Sequence, residues 1–397
     1  MEKKIYLVGG AVRDKLLGIE IKDKDYVAVG YSPLDFSHLE QVGKDFPVFL
    51  QSDGSELALA RLEKKTGVGY NGFEADIKNV TLEEDLKRRD LTINSIAYDK
   101  TNQKYIDPYN GQNDIKNKIL RHTSSAFIED PLRVLRLARF RARFGNDWTI
   151  DEGTKKLVVS MKSELHHLQA DRVYKEIEKV MESQNSSLFF ETLLELNVLD
   201  VLFPSIYNLT QYKENSKYHL EDSVFIHTMM VLRELDRESK LLKLTALYHD
   251  IAKPMCYEKH GNGAGHENAK LVEPLLDIQL PKKLQKKILF LIDNHLRIIL
   301  INEMKSSTLA SFFEKFKKDK ELLQTLLRFR KADSDGRITK VPKENLDEKK
   351  ILKTFDAITS YSPKEWIDSF DERPRTDLII QHIHKMNISF VEKYYKS

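Results

Sequence analysis

Cysteine is nearly absent from this 397-residue chain: Cys256 stands alone. One thiol excludes a disulfide framework and any cysteine-based zinc finger. No apolar run approaches the roughly 18 residues that a membrane-spanning helix needs. The amino terminus lacks the apolar core of a signal peptide, so a cytoplasmic location without a membrane partner is expected. A strong net charge is missing too: 64 basic and 61 acidic residues leave +3. Any nucleic-acid surface must therefore be concentrated in place rather than spread over the chain. The remainder has the makeup of a globular protein, 41% hydrophobic and 31% charged, and is long enough for two or more domains.

The first informative stretch is Ile5-Tyr6-Leu7-Val8-Gly9-Gly10-Ala11-Val12-Arg13-Asp14. Ile5 to Val8 reads as a short buried strand. Gly9-Gly10 breaks it, and Ala11 to Leu17 reads as a helix ended by Gly18. Such a turn leaves backbone N–H groups facing whatever lies above it, and the helix dipole favours an anion there. Arg13 adds a donor fork suited to phosphate. Asp23 and Asp25 follow, running into Tyr26-Val27-Ala28-Val29. Residues two apart in a strand share a face, so the carboxylates stand side by side. That is repulsive unless a cation lies between them. Mg²⁺ prefers oxygen and usually takes one or two carboxylates plus substrate phosphates.

Residues 1 to 110 read as mixed structure, with strands at 5–8, 26–29, 57–61 and 92–98. Lys64 to Gly72 reads as a mobile loop and Asp107 to Gly111 as a turn. Beyond it the periodicity becomes helical, as in Val173, Ile177 and Val180. The polar segment 336–363 reads as a linker or exposed loops before a helical tail.

Asp130-Pro131-Leu132-Arg133-Val134-Leu135-Arg136-Leu137-Ala138-Arg139-Phe140 reads as a helix. Asp130 can cap it, and Pro131 suits the first helical position. Arg133, Arg136 and Arg139 line one side, while the leucines and Val134 supply the packed side. Few acids stand four residues away to pair with them. The stripe therefore points to polyphosphate or a nucleic-acid backbone. Upstream, Arg89, Asp90 and Asn94 offer mixed donors and acceptors suited to a ribose or triphosphate.

Together these elements resemble the bacterial tRNA nucleotidyltransferase (CCA-adding) family, the class II branch of the polymerase-β-like nucleotidyltransferases. The resemblance runs through Gly9 to Asp14, Asp23-Lys24-Asp25, Glu84 to Asn94, Ile106 to Tyr109 and Glu129 to Arg133. It implies an α+β fold: a nucleotidyltransferase head with a small mixed sheet over 1–120, then an all-α neck over 121–215. It implies that Gly10 and Arg13 bind nucleotide phosphate and that Asp23 and Asp25 carry Mg²⁺. Arg89, Arg136 and Arg139 would contact the nucleotide beside Asp90 and Asn94. Asp130 and Arg133 would read the base without a template, on tRNA with CTP and ATP as substrates. Cytosine and adenine each place an amine donor beside a ring acceptor, which a carboxylate next to a guanidinium complements. Uracil and guanine present the reverse, and mismatched polar groups are costly to bury. Glu56 and Glu63 are both candidates for a third carboxylate.

The stretch 219–335 holds His227, His249-Asp250, His266, His295 and Asp333. Imidazole and carboxylate together suit a transition metal. The order His227, His249, Asp250, Asp333 resembles the HD phosphohydrolase superfamily, in which such residues bind a divalent metal. The resemblance implies an all-α domain over 219–335 with an ion such as Ni²⁺ or Mn²⁺, and a linker and helical tail over 336–397. It also implies phosphatase, 2′-nucleotidase and 2′,3′-cyclic phosphodiesterase activity. His266 and His295 are then extra ligands or phosphate contacts. One departure is Ala252, where that family usually has glycine. The alternatives are a poly(A) polymerase, a partial (A-only or CC-only) adder, and a metal phosphohydrolase whose N-terminal half binds tRNA. Monomer and homodimer both fit the sequence.

Overall fold

The computed structural model describes residues 2–42, 47–65, 73–77, 79–213, 220–317, 319–343 and 346–397. The chain divides into two compact units, Met1–Pro204 and Ser205–Ser397. No helix among the described residues is long and apolar enough to cross a membrane.

The first unit rests on β1 (Lys4–Val8), β2 (Asp25–Val29), β3 (Glu40–Val42), β4 (Val48–Leu50) and β5 (Glu56–Leu59). After a separate hairpin, β6 (Leu62–Lys65) and β7 (Phe73–Asp76), come β8 (Ala97–Asp99) and β9 (Lys104–Ile106). Seven of these strands form one mixed sheet in the order β3-β4-β5-β2-β1-β8-β9. Tyr26 to Val29 is buried along its whole length, so it reads as an unbroken apolar run rather than an alternating one. Tyr6, Val8, Val27, Val29, Val80, Leu86 and Ala97 share one core cluster.

Register decides where the chemistry falls. In the antiparallel β1–β2 pair Val8 faces Asp25, and in the parallel β2–β5 pair Asp25 faces Glu56. The end of β1 therefore lies beside the start of β2, and the glycine turn arrives next to the aspartates. Gly9 has φ +67°, and a Cβ there would lie 2.9 Å from Arg89 Nη1. Both the left-handed backbone and the close approach of Arg89 call for glycine.

The principal helices of this unit are α1 (Gly10–Leu17), α2 (Leu82–Lys87), α3 (Gly111–Asn117), α4 (Leu132–Phe144), α5 (Glu152–Ser160), α6 (Ala170–Glu182) and α7 (Ser186–Glu195). α1 ends at Gly18 in the left-handed region, as its sequence implies. α2 starts on a capping box in which Thr81 and Glu84 satisfy each other's backbone N–H. α4 packs against α6 and α7, burying Leu132, Val134, Leu135, Leu137 and Phe140.

The expected strand over 92–98 is replaced by a 3₁₀ turn at Thr92–Asn94, and only Ala97–Asp99 is strand. Ile93 and Ile96 are both fully buried, so the apolar residues here track a tight turn in the core. Of the expected loop over 64–72, Lys64 and Lys65 end β6, and 66–72 lie outside the described residues.

The second unit holds helices and no strand among its described residues. The reading of 336–363 as linker is corrected by a helix at Glu348–Ser360. Asp347 caps it through the Lys350 N–H, and Ile351, Phe355 and Ile358 form its buried stripe. That stripe is narrow among charged residues, so composition alone hides it. Phe355 packs edge-on to Phe313 at 6.2 Å. Phe355→Ala should therefore cost about 3 kcal/mol in urea unfolding. A change within experimental error would mean the segment contributes no core.

Candidate active site

A pocket of about 860 Å³ opens in the first unit. Its wall includes every residue that the sequence singles out for nucleotide or magnesium contact: Gly10, Arg13, Asp23, Asp25, Arg89, Asp90, Asn94, Asp130, Arg133, Arg136 and Arg139. Arg61, Arg88, Arg143, Arg172 and Lys179 also line it, so basic side chains surround the two aspartates.

The arginines are ordered by buried carboxylates. Arg136 Nε donates to Asp90 Oδ2 at 2.8 Å, Asn94 Nδ2 donates to Asp90 Oδ1 at 2.9 Å, and Arg13 Nη1 donates to Asn94 Oδ1 at 2.6 Å. Asp14 holds Arg13 at 2.7 Å and Arg143 at 2.9 Å. Arg139 donates to buried Glu176 on α6 at 2.5 Å. Burial alone would raise the Asp90 carboxyl, but Arg136 and the Asn94 amide outweigh it and hold it well below the usual carboxylate range. Arg136 and Arg139 do lack acids four residues away, yet they still find carboxylate partners through tertiary packing. Their partners lie 46 and 37 residues away, out of reach of a local pattern.

Asp130 lies one place before the cap position of α4 rather than in it, though its Oδ1 still accepts the Leu132 N–H at 3.1 Å. Pro131 sits one place earlier than expected, just outside the helix. Arg133 is turned toward backbone: Nη1 donates to Ala126 O at 2.5 Å and Nη2 to Arg88 O at 2.6 Å. The guanidinium beside the Asp130 carboxylate is instead Arg172 of α6, at 2.9 Å.

Asp23 and Asp25 are exposed at the pocket wall. Packing around Asp25 strips part of its water and raises its carboxyl; Arg89 pulls it down, and Asp23 pushes it up again. Two neighbouring carboxylate oxygens suit a hard dication such as Mg²⁺. Glu56 pairs with Asp25 across the strands but is not among the residues lining the pocket. The Glu63 side chain lies outside the described residues.

In the second unit His227, His249, Asp250, His266, His295 and Asp333 are all buried together. Their ligand atoms form two sets, His227–His249–Asp333 and Asp250–His266–His295, each within 4.8 Å. Asp250 joins the sets: Oδ2 lies 3.1 Å from His249 Nε2, and Oδ1 lies 3.1 Å from His266 Nε2. Nδ1 of His249, His266 and His295 bonds the carbonyls of Ala246, Gly263 and Ile292, at 2.6–2.7 Å. With Nδ1 as donor, Nε2 is the free lone pair in each ring. His227 Nε2 and His249 Nε2 stand 3.2 Å apart, and buried His266 Nε2 faces Asp250 Oδ1. Burial, with His266 and His249 nearby, pushes His295 down to about 3, so it is neutral at physiological pH. Buried lone pairs converging in this way fit a divalent metal. Ala252 adopts φ −90°, where alanine is as comfortable as glycine, so this departure does not disturb the backbone.

Residues 5–121 match a family described as the poly A polymerase head domain, and 147–209 match one described as a probable RNA and SrmB-binding site of polymerase A. A multifunctional CCA protein of Shewanella denitrificans is 44% identical over 350 residues, 84% of each chain. The chain belongs to the multifunctional CCA protein family. Its counterpart in Shewanella frigidimarina is 43% identical over 82% of each chain. The fold is shared with the Bacillus stearothermophilus CCA-adding enzyme in complex with CTP (TM-score 0.66, 21% identity, 98% of this chain and 89% of that one). It is shared too with the Thermotoga maritima CCA-adding enzyme complexed with tRNA (TM-score 0.62, 20% identity, 100% and 88%).

Within this CCA-family pocket, sequence reasoning missed Asp14, Arg172 and Glu176. Arg172 and Glu176 stand one helical turn apart on α6, and that spacing is the only local signal they carry. Asp90 sets a testable constraint. Arg136→Gln should cost about 2 kcal/mol in urea unfolding, because Asp90 stays buried with less compensation. Combined with Asp90→Asn, the total should fall short of the sum of the single changes by about 1 kcal/mol. Simple additivity would show that the pair is not coupled.

Proposed function

We propose that this chain adds C, C and A to the 3′ end of tRNA from CTP and ATP, releasing pyrophosphate. The observation that carries the reading is the convergence of a glycine turn, twin aspartates and an arginine helix on one pocket. The 3′-hydroxyl oxygen forms a bond to the α-phosphorus as the bond to pyrophosphate breaks. Mg²⁺ held by Asp23 and Asp25 would supply positive charge at the phosphates and favour ionisation of the attacking hydroxyl. The chain's own contribution is positioning and fixed charge. The N-terminal N–H groups of α1, with Arg13, Arg89, Arg136 and Arg139, hold the triphosphate. Asp90 and Asn94 keep Arg136 and Arg13 in place, and Asp130 selects the base with Arg133 nearby. A tRNA substrate supports a cytoplasmic location.

A second activity is favoured by the six buried donors of the second unit. They suit a divalent metal such as Ni²⁺ or Mn²⁺ and a phosphohydrolase acting on phosphomonoesters and 2′,3′-cyclic phosphates. Lys253, 2.9 Å from Asp250 Oδ2, adds a cation suited to a phosphate group.

The test is tRNA lacking its 3′ end, incubated with each nucleoside triphosphate and the products sequenced. Ordered C, C, A is expected; long A tracts would instead mark a poly(A) polymerase. Asp23→Ala should abolish addition and spare phosphatase activity. His249→Ala should do the reverse and lower bound metal measured by mass spectrometry. Loss of both activities from either folded variant would contradict two separate sites.

A further inference from the structure

We infer that Arg172 is a positioning residue for base selection, a role that rests on the proposed reading of the base by Asp130. Arg172 reaches Asp130 from α6 and grips both oxygens, with Nη2 to Oδ2 at 2.9 Å and Nη1 to Oδ1 at 3.3 Å. The Leu132 N–H takes Oδ1 as well, at 3.1 Å. A carboxylate has about four lone-pair sites. These contacts use three and leave Oδ2 with room for one more donor. The exocyclic amine of cytosine or adenine is such a donor. Uracil and guanine bring a carbonyl oxygen to the same place, which an ionised carboxylate repels.

Refusal of this kind requires that Asp130 not swing aside. A bidentate arginine clamp answers that need by fixing the rotamer. Arg133 does not supply this grip, because its Nη1 and Nη2 donate to the carbonyls of Ala126 and Arg88. Lysine could satisfy the charge but not the fork. The same α6 face carries Glu176, which holds Arg139. One helix thus sets both a base-selecting carboxylate and an arginine of the pocket.

The experiment measures single-turnover addition of each of the four nucleotides to tRNA lacking its 3′ end. It uses the full chain and its Arg172→Ala, Arg172→Lys, Asp130→Ala and Arg172→Ala/Asp130→Ala variants. Arg172→Ala should raise incorporation of U and G relative to C and A by about tenfold or more. Arg172→Lys should recover part of the selectivity, and Arg172→Ala should add nothing further in the Asp130→Ala background. An equal slowing of all four nucleotides with the ratio intact would reduce Arg172 to a structural residue and overturn the proposal. An additive effect of the double change would overturn it too. If Asp130→Ala itself leaves the ratio unchanged, the reading of the base by Asp130 is what fails.

Discussion

Asp90 joins the two halves of the transferase pocket through one buried carboxyl group. Its Oδ2 takes Arg136 from α4, and its Oδ1 takes the amide of Asn94, whose own oxygen takes Arg13 beside the glycine turn. Its backbone carbonyl also accepts the Thr123 N–H. The glycine turn and the arginine helix are far apart in sequence, yet this chain of hydrogen bonds sets their spacing. The arrangement carries a price: a carboxylate taken out of water must stay paired. Here the pairing also leaves the arginines ordered before any substrate arrives, which is what electrostatic catalysis requires.

The second unit reaches preorganisation by different means. The last carbonyls of a helix have no partner inside it. Ala246 and Ile292 lie near the ends of the helices Lys240–Tyr248 and Lys282–Asn294, and their carbonyls bind Nδ1 of His249 and His295. The helix end gains a partner and the imidazole gains an orientation. Nε2 is left as a lone pair turned away from the backbone. Buried lone pairs that face one another are unfavourable on their own, and a divalent cation among them would relieve that cost.

Much of this was legible in the sequence because it is local. The glycine turn, the paired aspartates, the capping signals of α1 and the arginine spacing of α4 each lie within a few residues. The order of His227, His249, Asp250 and Asp333 was legible as a resemblance. What escaped were partners set by tertiary packing: Asp90 for Arg136, Glu176 for Arg139, Arg172 for Asp130. Pattern also failed where burial does not follow a period, as at Thr92–Asn94, and where a helix hides its apolar stripe among charges, as at Glu348–Ser360.

Choosing two bases and refusing two without a template demands a rigid edge. A template would supply that edge by base pairing; a protein must build it from side chains whose alternatives are blocked. Arg133 ties the start of α4 to the backbone of Ala126 and Arg88 and so fixes where Asp130 begins. The Leu132 N–H and Arg172 then fix where its carboxylate ends. The two arginines therefore act on one aspartate at different levels, one through the main chain and one through the side chain. On the proposed reading of the base by Asp130, losing the second would leave the pocket's shape but free the group that does the choosing.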